Sequence, residues 1–411
     1  MNQPRIRAAV SPPRRRLGAA PVVLPSIAAT IAAERPEIPV HCLRPAVFEA
    51  AARDFVAGFP GDVLYAVKCN PEPAVLRALW RGGVRHFDCA SAAEVALVRT
   101  MFADAVIHFM HPVKSPAAIR EAFARHGVRD FVLDSAAELR KILGATDAAG
   151  DLGLVVRLAL PKGGAVYDLS GKFGVPVAEA AALLRAARPH AARLGIAFHV
   201  GSQCLDPGAY ARALALVGEA IGMAGVAVDI VDVGGGFPAA YEGVTPPPRG
   251  EFFAAIATGF AALGLPAGTQ LWAEPGRALV ADGGSVVVRV ELVREAMLHV
   301  NDGVYGALSD LRVPGFLFPC RLIRPDGPVP SEVRREFGFF GPTCDSADVM
   351  GGPFLLPADV REGDWIEIGQ LGAYGACLRT PFNGFDRALL VDVRDAPLLS
   401  TTTAGRVPAA A

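Results

Sequence analysis

The chain has 411 residues, of which 52% are hydrophobic and 20% charged, and its formal net charge is −1. This composition predicts a large buried core, excludes global disorder and argues against nucleic acid as the main partner. The apolar runs stay shorter than the roughly 20 residues of a membrane-spanning helix, so no membrane partner is expected.

The sequence begins with an arginine-rich stretch, from Arg5 to Arg16, and has no acidic residue before Glu34. This stretch lacks the apolar core of a secretory signal, so we predict a flexible basic arm over residues 1–37, with an organellar transit peptide as the alternative. The seven cysteines are odd in number and form no C-x-x-C pair. They favour a reducing, cytoplasmic setting and offer neither a disulfide framework nor a metal site.

Over residues 38–285, short β-like runs alternate with Ala- and Leu-rich stretches of helical periodicity, such as 92–101 and 136–143. The runs are 62–68, 86–89, 105–110, 130–134, 154–160, 195–200, 229–234 and 270–274. A doubly wound sheet would also alternate strands with helices, so the number of units decides between the two folds. Eight units predict an α/β fold with a (β/α)8 barrel of the TIM type.

The pattern changes after residue 285. Segments 286–293, 365–368 and 388–393 are β-branched or alternating and are separated by Pro- and Gly-rich turns. They predict a C-terminal β-rich domain over residues 286–399, which the strand-like residues 38–43 are candidates to join. Residues 400–411 are predicted to be a disordered tail.

Reactive groups of a TIM barrel lie at the C-terminal ends of its strands. The first run ends in Lys68. Burial at a barrel mouth lowers the pKa of an amine, which makes Lys68 a candidate for Schiff-base chemistry, with a lysine that reaches out to solvent as the alternative. The last two runs lead into residues suited to binding a phosphate through backbone N–H groups and a guanidinium, namely Gly234, Gly235, Gly236, Gly276 and Arg277.

Two further strand ends carry polar side chains, Glu274 and His199. A buried carboxylate such as Glu274 can keep a pyridine nitrogen protonated, although an ion pair with Arg277 would explain it equally well. His199 could stack on a flat ring, although a lone histidine is more often a satisfied core residue. Ser202 follows on the same loop, within reach of a phosphate.

The order of the sequence motifs resembles the alanine-racemase-type (fold type III) pyridoxal-phosphate (PLP) decarboxylases, the family of ornithine, lysine and diaminopimelate decarboxylases. The resemblance spans residues 40–390. Its motifs are YAVKCN at 65–70, FDCAS at 87–91, HVGSQC at 199–204, DVGGGFP at 232–238, EPGR at 274–277, NDGVYG at 301–306, GPTCD at 341–345, GAYGA at 372–376 and FNGF at 382–385.

The resemblance implies that Lys68 binds PLP as a Schiff base, that His199 stacks on the ring and that Glu274 faces the pyridine nitrogen. Asp88 and Arg157 match residues near the Schiff base and the phenolic oxygen. The phosphate would be held by Ser202, Gly235, Gly236, Gly276, Arg277 and Tyr374. Cys344 matches the residue that returns a proton to the α-carbon after CO₂ leaves. In the family, Cys344 and Asp345 reach into the barrel of a second subunit, which implies a head-to-tail homodimer with two shared sites.

For the substrate, Asp310 and Asp345 match the positions that hold the side-chain amine, with the aromatic Phe382 beside them. Diaminopimelate enzymes carry Glu-Ser after the matching cysteine, whereas Asp345 is followed by Ser346 here. The resemblance therefore implies L-ornithine, converted to putrescine for polyamine biosynthesis. Lysine, giving cadaverine, is the alternative, since one methylene is worth only about 1–3 kcal/mol. Ser309 replaces a Tyr of the eukaryotic ornithine enzymes, which leaves Asp310 the least secure assignment.

A second class of function is a catalytically silent, decarboxylase-like regulatory protein. Such relatives usually lack parts of the PLP site, whereas this chain retains Lys68, Glu274, Arg277 and Cys344. A small PLP-carrier protein would have the barrel alone, and the predicted β-rich domain excludes it. The sequence therefore predicts an active PLP-dependent decarboxylase.

Overall fold

The computed structural model describes residues 23–24, 26–161, 165–167, 171–313 and 316–400. Most of the predicted basic arm and the predicted tail beyond Ser400 lie outside the described residues. Within them, no helix is both long enough and apolar enough to cross a bilayer.

The strands in chain order are β1 (Val23–Leu24), β2 (Val40–Leu43), β3 (Asp62–Ala66), β4 (His86–Cys89), β5 (Val106–Phe109), β6 (Asp130–Leu133), β7 (Gly153–Arg157), β8 (Ala165–Tyr167), β9 (Arg193–Ala197), β10 (Ser202–Cys204), β11 (Ile230–Asp232), β12 (Gln270–Ala273), β13 (Gly284–Arg294), β14 (Met297–Val300), β15 (Cys320–Ile323), β16 (Arg334–Phe340), β17 (Val349–Pro357), β18 (Trp365–Ile368) and β19 (Leu389–Val393).

The α-helices are α1 (Ile27–Glu34), α2 (Pro45–Gly58), α3 (Pro73–Arg81), α4 (Ala92–Met101), α5 (Pro116–His126), α6 (Ala136–Ala145), α7 (Val177–Ala187), α8 (Gly208–Ala224), α9 (Arg249–Ala262) and α10 (Arg277–Val280). One-turn 3-10 helices cover Val67–Cys69, Arg188–His190, Ala281–Gly283, Ser309–Arg312, Ala376–Leu378 and Phe382–Gly384.

The chain forms two compact units. The barrel unit consists mainly of Pro45–Gly284 and Gln370–Cys377. The β unit consists of the described residues up to Arg44 together with those of Ser285–Gly369 and Leu378–Leu398.

Eight parallel strands close the barrel unit in the order β3-β4-β5-β6-β7-β9-β11-β12, and pairing of Trp272 with Asp62 joins the last strand to the first. The interior is filled by aliphatic side chains and one indole, including Leu64, Val132 and Ile230, as the layered core of a TIM barrel requires. The predicted fold class, a (β/α)8 barrel with a β-rich domain, is confirmed.

Serine N-caps begin three of the barrel helices. The Oγ atoms of Ser91, Ser115 and Ser135 accept hydrogen bonds from the third helical residue at 3.1–3.2 Å. These bonds satisfy N–H groups that a helix start leaves without an intrahelical acceptor. They therefore fix where each strand end turns into a helix, and so where the strand-end side chains lie.

The β unit is built around a nine-stranded mixed sheet with the main order β1-β19-β2-β13-β14-β16-β17, while β18 pairs with β13 and β15. One face packs Ile27 and Ile31 of α1 against Val40, Val287 and Trp365. Such burial is the main favourable term that holds a helix to a sheet.

The observed units depart from the predicted boundaries in three places. Residues 27–34 of the predicted arm form α1, because Ser26 caps the helix and Ile27 and Ile31 are buried. Strand β2 belongs to the sheet and not to the barrel, because it pairs in parallel with β19. Gln370–Cys377, predicted as part of the β domain, belongs to the barrel unit, where Tyr374 N donates to the carbonyl of Cys69 at 3.0 Å.

Candidate active site

A cavity of about 490 Å³ opens in the barrel unit at the C-terminal ends of the strands. Its lining includes ten of the residues that the sequence predicts for cofactor binding: Lys68, Arg157, His199, Ser202, Gly235, Gly236, Glu274, Gly276, Arg277 and Tyr374. The structure therefore brings together residues from the ends of five barrel strands and from the returning segment Gln370–Cys377. Asp88, the remaining predicted residue, contacts this set through Lys68.

Lys68 lies on the 3-10 turn that follows β3, and its Nζ donates to Asp88 Oδ2 at 2.8 Å. Asp88 is buried, whereas 45% of the Lys68 side-chain surface remains accessible. Burial lowers the pKa of Lys68, but the Asp88 and Glu274 carboxylates raise it by more, so the net pKa lies above its ordinary value. The predicted direction is wrong, because two nearby anions outweigh desolvation.

Glu274 follows β12 and is 5% exposed. Its Oε1 has no hydrogen-bond donor among the described residues. Burial first, and then the carboxylates of Asp232 and Asp88, raise the pKa of Glu274 well above its ordinary value. A buried carboxyl oxygen that lacks a donor fits a ligand that brings its own N–H group.

The glycines after β11 pack so closely against neighbouring segments that a side chain would not fit. A Cβ on Gly235 would lie 2.7 Å from the carbonyl oxygen of Glu274 and 3.0 Å from His199 Nε2. Gly236 has φ +101°, and a Cβ there would lie 2.5 Å from the carbonyl oxygen of Gly201. A buried hydrogen bond fixes the loop, because Tyr210 OH donates to the carbonyl of Gly235 at 2.9 Å. This rigid backbone can approach a phosphate closely.

Arg277 supplies a buried guanidinium beside this loop. Its Nη1 donates to Tyr241 OH at 3.0 Å, and its Cζ lies 5.1 Å from the ring centroid of Tyr374. Tyr374 is half-buried, and desolvation raises the pKa of its phenol. These contacts hold the guanidinium in one orientation before any ligand arrives, so it is preorganised for an anion.

His199 is held in its neutral form. Its Nδ1 accepts the backbone N–H of Gly201 at 3.0 Å, which leaves the proton on Nε2. Burial first, and then the positive charges of Arg157 and Lys68, lower the pKa of His199 well below its ordinary value. A neutral imidazole suits stacking on a flat ring better than an imidazolium would, because it adds no charge to the cavity.

These features together fit a phosphorylated pyridine aldehyde. The cavity has an amine at one strand end, a glycine cradle with a guanidinium, and a buried carboxyl oxygen without a donor. PLP needs a partner for its aldehyde, its phosphate and its ring nitrogen, and this set offers one for each. Lys68 would hold the aldehyde, Arg277 and the glycines the phosphate, and Glu274 the nitrogen.

The predicted substrate and proton-donor residues lie in the β unit, where contacts gather several of them. We call Tyr305, Cys344, Asp345, Phe382 and Asn383 the Cys344 cluster. Tyr305 OH donates to Asp345 Oδ2, which lowers the pKa of Asp345, and the rings of Tyr305 and Phe382 lie 4.9 Å apart. Asn383 Oδ1 accepts from the backbone N–H of Cys344 at 3.1 Å. The Cys344 thiol is exposed. Asp310 lies on a different element, the 3-10 turn Ser309–Arg312, and is buried.

Some residues that organise these sites were not predicted. Asp348 joins two motifs of the β unit, since it accepts from Val304 N at 2.8 Å and from the Thr343 hydroxyl at 2.7 Å. Tyr241 and Tyr210 hold the phosphate side of the cavity, as described above. The two tyrosines stand in no motif, and their roles depend on partners distant in sequence. Asp232 does stand in a motif, and its position before three glycines was the available signal.

Residues 46–281 match the family model described as pyridoxal-dependent decarboxylase, pyridoxal binding domain. The chain is 33% identical over 352 residues to the lysine/ornithine decarboxylase of Selenomonas ruminantium, covering 82% of this chain and 84% of that protein. It is 32% identical over 347 residues to antizyme inhibitor 2 of Xenopus laevis, covering 79% and 74%. The solved arginine decarboxylase of Paramecium bursaria Chlorella virus has a TM-score of 0.77 at 27% identity, over 89% of this chain and 98% of that one.

Proposed function

Because the chain belongs to the pyridoxal-dependent decarboxylases, whose cofactor is PLP, we propose that it removes the α-carboxyl group of L-ornithine to form putrescine and CO₂. The observation that carries the proposal is the assembly of Lys68, Glu274 and Arg277 around one cavity. The same assembly argues against a silent regulator, although antizyme inhibitor 2 is among the relatives.

When bound, PLP supplies the electron-withdrawing ring that accepts the electron pair freed at the α-carbon as CO₂ leaves. Lys68 Nζ must lose a proton before it can bond to carbon, and Asp88 Oδ2, 2.8 Å away, is the adjacent acceptor. Glu274 holds a proton toward the ring nitrogen. Cys344 donates a proton to the α-carbon, and its exposed thiol is accessible for that transfer.

The active form is a homodimer in which the Cys344 cluster of one subunit completes the barrel cavity of the other. Exposed apolar side chains in the β unit support this, since Leu378, Phe382 and Phe385 are each at least 40% exposed. Exposed apolar residues grouped in sequence around a chemically competent thiol are typical of a surface that a partner covers. All seven cysteines are free thiols, which suits the reducing cytoplasm.

The substrate assignment depends on the far end of the amino acid, because the α-amine and α-carboxylate are the same in every candidate. Asp345 keeps a negative charge at neutral pH, since the Tyr305 hydroxyl lowers its pKa. A carboxylate there pairs with a side-chain ammonium and repels the second carboxylate of diaminopimelate. The name of the Selenomonas relative supports both lysine and ornithine, and lysine is therefore the second candidate.

One measurement tests the proposal: kcat/KM for ornithine, lysine, arginine and diaminopimelate on a single PLP-loaded preparation, with the amine product identified. We expect ornithine to give the highest value, lysine to be slower, and diaminopimelate to be inert. Lys68→Ala protein is the background control. A higher kcat/KM for lysine or arginine would make that amino acid the substrate in place of ornithine. Bound PLP without CO₂ release from any of the four amino acids would favour the catalytically silent regulatory function.

A further inference from the structure

Asp232 is a buried acid in the barrel mouth to which neither the motifs nor the proposed reaction gives a role. It ends β11 and is fully buried. Its Oδ1 accepts the backbone N–H of Gly234 at 2.8 Å. Its Oδ2, like Glu274 Oε1, meets no donor among the described residues. The two side chains are neighbours on one face of the β11–β12 pair, because Asp232 lies opposite Trp272, two residues before Glu274, and Glu274 N donates to the carbonyl of Gly234 at 2.8 Å. Their carboxyl groups interact there.

Neighbouring buried carboxyl groups disfavour two negative charges, so the pair retains a proton. The charged groups that face the pair are Asp88 from β4, Lys68 after β3 and Arg157 from β7. Burial raises the pKa of Asp232, and burial together with Asp232 and Asp88 raises that of Glu274.

The hydrogen bonds decide where the proton resides. The backbone N–H of Gly234 stabilises a negative charge on Asp232, whereas Glu274 has no comparable donor among the described residues. A carboxylate that accepts a backbone N–H is the better anion of a pair. The proton therefore belongs to Glu274, which donates it to Asp232 while the cavity holds no cofactor.

We propose that Asp232 is a positioning residue for Glu274: the two share one proton in the cofactor-free barrel, and the Asp232 carboxylate strengthens the hold of Glu274 on the proton it offers to the cofactor's pyridine nitrogen. The inference rests on the proposed role of Glu274. The inference adds two points to that role. The proton is already in the site before the cofactor binds, and the affinity of Glu274 for this proton depends on the Asp232 carboxylate.

The test loads PLP labelled with ¹⁵N at the ring into wild type, Asp232→Asn, Asp232→Glu and Glu274→Gln, and follows the ¹⁵N resonance with pH. We expect the ring nitrogen of Asp232→Asn to lose its proton at least about one pH unit below wild type, a tenfold loss of proton affinity. Asp232→Glu, which keeps the charge, should stay near the wild-type midpoint, and Glu274→Gln should shift further than Asp232→Asn.

A matched control is Asp282→Asn, since Asp282 is another acid of the barrel unit with a pKa raised by burial, and it accepts a hydrogen bond from Gln370 Nε2 at 2.8 Å. Asp282 does not line this cavity. This variant should titrate like wild type. If Glu274→Gln shifts the resonance and Asp232→Asn does not, this inference is wrong while the role of Glu274 stands. If Glu274→Gln shifts nothing, the proposed role of Glu274 itself is wrong.

A second measurement does not need Asp232→Asn to fold. The infrared spectrum of cofactor-free wild type at neutral pH should contain the carbonyl stretch of a protonated carboxylic acid, and Glu274→Gln should lack it. A wild-type spectrum without that band would overturn the shared proton.

Discussion

The barrel cavity and the Cys344 cluster hold their side chains in different ways. In the barrel unit, Asp88, Glu274 and Arg277 are each no more than 5% exposed, and the glycine loop beside them is fixed by backbone hydrogen bonds. In the β unit, Cys344 is exposed and Phe382 is 40% exposed. The candidate cofactor residues of the first site all lie in one unit, whereas the second site presents reactive and apolar groups to its surroundings.

This difference matches what each site is proposed to bind. A cofactor that stays bound through many turnovers gains from a rigid, preformed site, because little ordering is needed on binding. A surface that a second subunit completes must instead stay accessible until the subunits meet. The predictions below test this division of roles, from the largest expected effect to the smallest.

Lys68→Ala should remove the Schiff-base absorbance of bound PLP and lower kcat by roughly 10³-fold or more, as removal of a covalent catalytic group does. Absorbance spectra and CO₂ release measure the two effects. Lys172→Ala is the matched control, because Lys172 is another amine that lines the same cavity, and it should keep the absorbance. Absorbance that persists in Lys68→Ala and disappears in Lys172→Ala would transfer the role to Lys172.

Mixing inactive Lys68→Ala with inactive Cys344→Ala should restore activity if the cavity and the Cys344 cluster act across a dimer. Random exchange gives hetero-dimers in half of the population, each with one intact site of two, so activity should approach about a quarter of wild type. Native mass spectrometry verifies the exchange. Hetero-dimers that form and remain inactive would mean that each chain supplies its own complete site.

Asp345→Ala should lower kcat/KM for ornithine and lysine alike, because both substrates end in an ammonium that loses its carboxylate. The loss should correspond to about 2–5 kcal/mol of transition-state free energy. Asp310→Ala tests the second candidate in the same assay. Asp326→Ala is the control, since Asp326 is an exposed acid of the β unit paired with Arg35. An unchanged kcat/KM in Asp310→Ala would leave Asp345 as the specificity carboxylate.

Tyr305→Phe should have the smallest effect. The hydroxyl lowers the pKa of Asp345, so its removal lets the carboxylate gain a proton at a higher pH. The charge is present above the pKa and lost below it, so the acid limb of kcat/KM for ornithine should move upward by less than about one pH unit. Values at pH 8 should agree between variant and wild type. A limb that moves downward would contradict the assignment of Asp345.

Much of the barrel could be predicted from the sequence, because each strand is a short apolar run with a helical stretch behind it. The same pattern allowed the prediction of site positions at Lys68, Glu274 and Arg277, because the strand ends of a barrel converge. The sequence patterns of the β unit are weaker. Helix α1 was not predicted, because only Ile27 and Ile31 mark the buried face of its eight residues.

The features that could not be predicted from the sequence depend on residues that are distant along the chain. The pKa of Lys68 was predicted in the wrong direction because the carboxylates that raise it, Asp88 and Glu274, come from other strands. The hydrogen bond from Arg277 to Tyr241 joins residues with no shared motif. A local pattern records propensity and burial, but it does not record which charges the fold brings together.

The return of Gln370–Cys377 to the barrel unit limits how this protein can be divided or recombined. A fragment that ends at Gly284 would contain all eight barrel strands yet lack Tyr374 and the hydrogen bond from Gly372 N to the carbonyl of Ala281 at 3.1 Å. The segment Ser285–Gly369 of the β unit is therefore a long insertion within the barrel unit, not an appendage after it. Exchange of the whole β unit between relatives would require four crossovers, after Arg44, Gly284, Gly369 and Cys377, so the two units are expected to be inherited together.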